Sequence, residues 1–122
     1  MVEVICDTSF LIHLSTHRII NIDNIEMDIG QITFLVPNVV IEELKNLEKN
    51  PSKKFEISQT MKYIKNFKTI EINGTFADKE IINYVKKNNM IVATMDRELK
   101  NKIKLFGNSI ISFSKNKIIL ES

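Results

Sequence analysis

Four carboxylates carry the chemistry open to this chain: Asp7, Glu43, Asp78 and Asp96. Asp7 directly follows the apolar, β-branched stretch 2–6, and Asp96 follows the apolar stretch 90–94 after one residue, so each should leave a strand and open a helix. An Asp at such a junction is also the ordinary N-cap, the plainer role for either one alone. Glu43 has Val39, Val40, Asn46 and Leu47 three and four residues away and so stands at the edge of an apolar helix stripe. Glu42 faces Asn38, Val39, Lys45 and Asn46, the solvent side. Asp78 shares an inward face with Ile81, Ile82 and Val85, although Thr75-Phe76-Ala77-Asp78 also fits a capping box. Carboxylates gathered in this way repel one another and raise some pKa values unless a divalent cation neutralises them. An all-oxygen set favours hard Mg²⁺ or Mn²⁺ over Zn²⁺.

Other chemistries lack their residues. No GxxxxGK[ST] or GxGxxG run offers a phosphate cradle. His13 and His17 lie four apart without an adjoining Glu or a third ligand, and read as packing and surface residues. Cys6 reads as a small core hydrophobe. A phosphoacceptor site would need paired acids after the first strand and an Asp ending the central one, where this chain has Ile72 running into Asn73.

The elements that must position the acids follow from periodicity. Val2 to Cys6 predicts a strand, and Asp7-Thr8-Ser9 turns into a helix through Phe10, Leu11 and Leu14. Residues 17–33 read as helix or loop. A strand over 34–36 ends at Pro37, a helix follows through Leu47, and Asn50-Pro51-Ser52 closes it. Ile57, Met61 and Ile64 predict a helix over 54–67 with lysines outward, and Thr69 to Ile72 a strand closed by Asn73-Gly74. Ile81, Ile82 and Val85 mark a helix, 90–94 a buried strand, and Asp96 opens a helix to about Leu105. Residues 109–113 and 117–120 predict a final strand and an edge strand. Strands alternating with helices predict an α/β sandwich whose sheet is parallel and covered on both faces. Its ligand site should lie beyond the carboxyl ends of the strands, where strand order switches.

The chain of 122 residues is 43% apolar and 26% charged, enough for one domain over 1–122 with a continuous core. One cysteine excludes an intramolecular disulfide, and neither a signal peptide nor a membrane span is present, so the expected location is cytoplasmic. Net charge is only +2 but segregated: residues 1–44 hold one base against seven acids, 45–68 seven lysines against two acids, and 86–117 eight bases against two acids. Basic stretches beside an acidic one suit a polyanion held next to a cation centre, though Lys-rich helices also simply present solvated faces.

In order along the chain, these blocks resemble the PIN-domain ribonucleases: Asp7-Thr8-Ser9, Pro37 leading to Glu43-Leu44, Ala77-Asp78, and Ala93-Thr94-Met95-Asp96-Arg97-Glu98-Leu99. The segments Gly74 to Asp78 and Thr94 to Lys100, with Phe106-Gly107 beyond, are similar to the branch that processes small-subunit ribosomal RNA in archaea and eukaryotes, and less closely to the VapC toxins. Lys79 stands where that branch often has a second acid, which bears on a second metal site, and Met95 stands where many relatives have Asn.

The resemblance implies a three-layer α/β/α sandwich with a central, mostly parallel sheet. It also implies a Mg²⁺- or Mn²⁺-dependent endoribonuclease in which Asp7, Glu43, Asp78 and Asp96 hold the cation and an external water leaves a 5′-phosphate and a 3′-hydroxyl. Ser9 and Thr94 would orient water or carboxylate, and Glu98 would be an outer acid or an i,i+4 partner of Lys102. Lys45, Lys53, Lys54, Arg97, Lys100 and Lys104 would grip the RNA backbone. Processing of ribosomal precursor RNA, a toxin acting on tRNA or mRNA, and a scaffold that binds RNA or protein without cutting are the three resulting roles. The matching protein contacts are a second copy of the chain, a ribosome-assembly protein or an antitoxin.

Overall fold

The computed structural model describes residues 2–17 and 29–121. The expectation of helix or loop over 17–33 falls mostly on 18–28, outside the described residues, while residues 32 and 33 belong to a strand. The elements are β1 (Val2–Cys6), α1 (Thr8–Thr16), β2 (Ile32–Pro37), α2 (Asn38–Glu48), α3 (Lys54–Tyr63), β3 (Lys68–Ile70), α4 (Ala77–Lys87), β4 (Ile91–Ala93), α5 (Arg97–Leu105), β5 (Ile110–Ser114) and β6 (Lys117–Glu121).

The six strands form one sheet in the order β3-β2-β1-β4-β5-β6. The first five run parallel and β6 closes the edge antiparallel to β5. Central strands of a parallel sheet are covered on both faces, which is why Val4, Ile5, Cys6, Val92, Ala93, Ile110 and Ile111 are all fully buried and show no alternation. From β1 the chain steps outward to β2 and β3, then returns to β4 on the other side of β1. Right-handed crossovers in opposite directions put their helices on opposite faces and open a crevice between β1 and β4.

Packing agrees with this division. α1 packs on α3, and α4 on α5, while α2 touches α1, α3 and α4 and so reaches helices of both faces. The register Cys6↔Ala93 places Asp7 beside Thr94, and the Asp7 N–H donates to Ala93 O at 3.0 Å. Phe10 fills the core under this turn, 5.8 Å from the Phe34 ring and 5.3 Å from Phe113.

Three elements are shorter than their periodicity suggests, among them β4, which spans only Ile91–Ala93. β3 stops at Ile70 because the Ile72 carbonyl turns to accept the Val39 N–H, 3.0 Å away, satisfying the first turn of α2 instead of a strand partner. α3 stops at Tyr63, with Ile64 at its C-cap still buried in the core.

Candidate active site

The two strand-end acids are fixed by their helices. Asp7 is the N-cap of α1, its Oδ1 accepting the Phe10 N–H at 2.8 Å. Asp96 is the N-cap of α5, and its Oδ1 takes both the Glu98 and Leu99 N–H groups, at 2.9 and 3.2 Å. Capping therefore occupies one oxygen of Asp96 and leaves Oδ2 uncommitted.

Two hydroxyls tie these turns together. Thr94 Oγ1 donates to Asp7 Oδ2 and accepts the Asp96 N–H at 3.0 Å. Ser9 Oγ lies 2.8 and 3.0 Å from the Asp7 oxygens as donor and accepts the Met95 N–H at 3.0 Å. Each hydroxyl thus runs from the β4 turn to the Asp7 carboxylate. The pair fixes the distance between the loop that carries Asp7 and the loop that carries Asp96.

Asp7, Thr8, Ser9, Glu43, Phe76, Ala77, Asp78 and Asp96 line one cleft of about 260 Å³. All four candidate acids border it. Glu43 is half-buried and Glu42 is exposed, paired with Lys45 at 3.5 Å. Asp78 differs from its expected inward face: it is exposed, although Ile81 and Val85 on the same face are buried. The capping box does not form, since Phe76 is the N-cap of α4 and makes no side-chain cap bond. Asp78 is thereby left free of a structural task.

Burial to 3% exposure pushes the Asp7 carboxyl up to about 6; the bonds from Thr94, Phe10 and Ser9 pull it part of the way back, and the Asp78 charge adds to the rise. The Asp78 carboxyl is also held above the ordinary range, by partial shielding within the cleft and then by the charges of Asp96, Glu43 and Glu98, with Lys102 opposing. Hard oxygen donors, mutually repelling charges and a buried Thr8 hydroxyl with no partner suit a divalent cation. Among the described residues no three acidic, imidazole or thiol groups converge tightly enough to cage one ion. That openness is compatible with Mg²⁺, which keeps several waters and takes only one or two carboxylates.

The candidate RNA contacts divide. Lys53, Lys54 and Arg97 are exposed, and Lys45 is exposed beside Glu42. Lys100 and Lys104 instead clasp Glu121 of β6, each at 2.9 Å, and Ser112 Oγ donates to the same carboxylate at 2.7 Å. Glu98 pairs with Lys102 at 3.3 Å, the i,i+4 contact read from the sequence. Thr8 and Phe76 line the cleft without having been singled out in the sequence: Thr8 adjoins Asp7 in the quoted block, but nothing in residue type alone marks Phe76 as exposed.

A family model described as a PIN like domain matches residues 4–116. The chain belongs to the PIN-like domain family. Ribonuclease VapC4 of Methanocaldococcus jannaschii is 38% identical to this PIN-like domain over 112 residues, covering 84% of this chain and 83% of that protein. The PIN domain endonuclease Utp24 matches its fold with a TM-score of 0.79 at 25% identity, covering 98% of this chain and 90% of the other. A domain of a functionally unknown protein from Methanocaldococcus jannaschii shares the fold at a TM-score of 0.60 and 18% identity, covering 93% and 92% of the two chains.

Proposed function

We propose that this PIN-like domain is a divalent-cation-dependent endoribonuclease that hydrolyses RNA phosphodiesters. The observation that carries the reading is the single cleft bordered by Asp7, Glu43, Asp78 and Asp96 at the strand-order switch. The names of its relatives, a ribonuclease and a PIN domain endonuclease, support it. Four acids around 260 Å³ would repel a phosphate, so RNA can enter only with a positive charge between them. A bound Mg²⁺ or Mn²⁺ supplies that charge and acidifies water.

The protein's own part is positional. Ser9, Thr94 and the Phe10 N–H hold Asp7 in one orientation, capping holds Asp96 by one oxygen, and Glu43 and Asp78 close the cleft from α2 and α4. In the overall reaction the oxygen of water joins phosphorus, the bond from phosphorus to O3′ breaks, and a proton passes to O3′. The products are a 5′-phosphate and a 3′-hydroxyl. Exposed Lys53, Lys54 and Arg97 would contact the RNA backbone.

We assign the substrate to structured ribosomal precursor RNA, on the resemblance of Gly74 to Asp78 and Thr94 to Lys100 to that branch. A VapC-type activity on tRNA or mRNA is the second reading, favoured by the 38% identity to Ribonuclease VapC4. The test is a labelled structured RNA incubated in EDTA, Mg²⁺ or Mn²⁺ with the wild type and with Asp7→Asn and Asp96→Asn. Cutting should need metal, vanish in both variants and leave 5′-phosphate ends. Binding without cutting in every condition would favour the scaffold role.

A further inference from the structure

Phe76 is not explained by folding. The residue is 68% exposed, and it occupies the N-cap of α4, a place that normally favours a short polar side chain. An apolar ring left in water gives up the stabilisation that burial would bring. It nevertheless lines the carboxylate cleft, one residue from Ala77 and two from Asp78.

The segment before it is held in place. Gly74 has φ of +149°, and a Cβ there would lie 2.4 Å from the Glu80 carboxyl carbon, so Glu80 folds directly against the glycine. On the far side of Gly74 a second hollow of about 440 Å³ is lined by Asn38, Val39, Ile41, Glu42 and Asn73. Asn38 Nδ2 donates to Asn73 Oδ1 at 3.4 Å in the open, which leaves one amide oxygen and one amide nitrogen of the pair for another partner. A flat apolar face thus borders the cleft, while a donor and an acceptor, on the paired Asn73 and Asn38, border the neighbouring hollow that Gly74 also lines.

We propose that Phe76 is the stacking platform for an unpaired RNA base next to the scissile phosphodiester, with Asn38 and Asn73 meeting the edge of the base beside it. The proposal rests on the ribonuclease reading and adds to it a residue that holds the base beside the cut. A base inside an A-form duplex has both faces covered and cannot lie on an aromatic ring, whereas loop and bulge bases can.

The test uses RNA hairpins with 2-aminopurine in the loop or in the stem, bound to the Asp96→Asn chain so that no cutting intervenes. The loop probe should be quenched on binding and the stem probe should not. Adding Phe76→Ala should abolish the quench and weaken loop binding about tenfold, in the range that stacking of one base supplies. Phe76→Trp should keep both, as should Leu105→Ala, an exposed apolar change at the far end of α5. In the active chain Phe76→Ala should raise KM about tenfold, with kcat and melting temperature little changed.

Quenching and KM unaltered by Phe76→Ala, with cutting intact, would overturn the platform and leave the ribonuclease reading standing. Quenching that depends on Phe76 in a chain that cuts no RNA would keep Phe76 as a base-stacking residue but overturn the ribonuclease and, with it, the place beside a scissile bond. No binding of either hairpin would overturn the platform, and the cleavage test would decide the ribonuclease reading by itself.

Discussion

Asp7 combines two demands that pull in opposite directions. Its oxygens cap α1 and join the turns after β1 and β4, yet at 3% exposure an ionised carboxylate is poorly solvated. Its folded-state value of about 6 lies above the ordinary 3.8, so the folded chain holds the proton more tightly than the unfolded one. Its contribution to stability is therefore fully present below about pH 4 and is lost as pH rises through about 6. In EDTA, urea unfolding should show wild type losing on the order of 3 kcal/mol relative to Asp7→Asn between pH 4 and 7.5. A pH-independent difference between the two would rule this picture out. Thr94→Val removes a hydrogen bond that favours the ionised form and so should raise the Asp7 value further. It should cost about 1–3 kcal/mol of stability and move the acid limb of the cleavage profile to higher pH. A limb that stays in place while stability falls would make Thr94 structural only.

At the scale of elements, α5 lets capping be separated from chemistry. Asparagine caps a helix about as well as aspartate, and alanine does not. Asp96→Asn should keep the melting temperature and lose cleavage, while Asp96→Ala should lose cleavage and about 1 kcal/mol of stability as well. Equal cleavage by wild type and Asp96→Asn would reduce Asp96 to a cap. The helix starts at Asp7 and Asp96, the edge strand β6 and the surface position of Glu42 were legible because each depends on near neighbours in sequence. Asp78 was not: helical spacing gives direction around the axis, but at the second position of α4 the residue lies beyond the edge of the core that Ile81 and Val85 enter. The short β3 was also hidden, since its end is set by Val39, some thirty residues earlier in the chain. Lys100 and Lys104 read as contacts to the RNA backbone because their partner, Glu121, arrives only when β6 folds back along β5.

Across the whole molecule, charge segregation in sequence becomes a division of labour between lysines. Glu121 is held down to about 2 by hydrogen bonds from Lys104, Lys100 and Ser112, so this clasp persists through the neutral range. Stability from it is present above the ordinary value of 4.5 and is lost as pH falls through about 2, the reverse of the Asp7 trend. Lys53 and Lys54, by contrast, are exposed at the start of α3. Each lysine that meets a phosphate of a single strand releases counterions and adds about −0.7 to the slope of log affinity against log salt. Lys53→Gln and Lys54→Gln should each make that slope shallower by about this amount with stability unchanged. Lys100→Gln should leave the slope as it is and lower the melting temperature instead, because breaking the clasp loosens β6 from α5. A salt slope that responds to Lys100→Gln would mean that RNA displaces Glu121 on binding and that β6 gives up its hold when the substrate arrives.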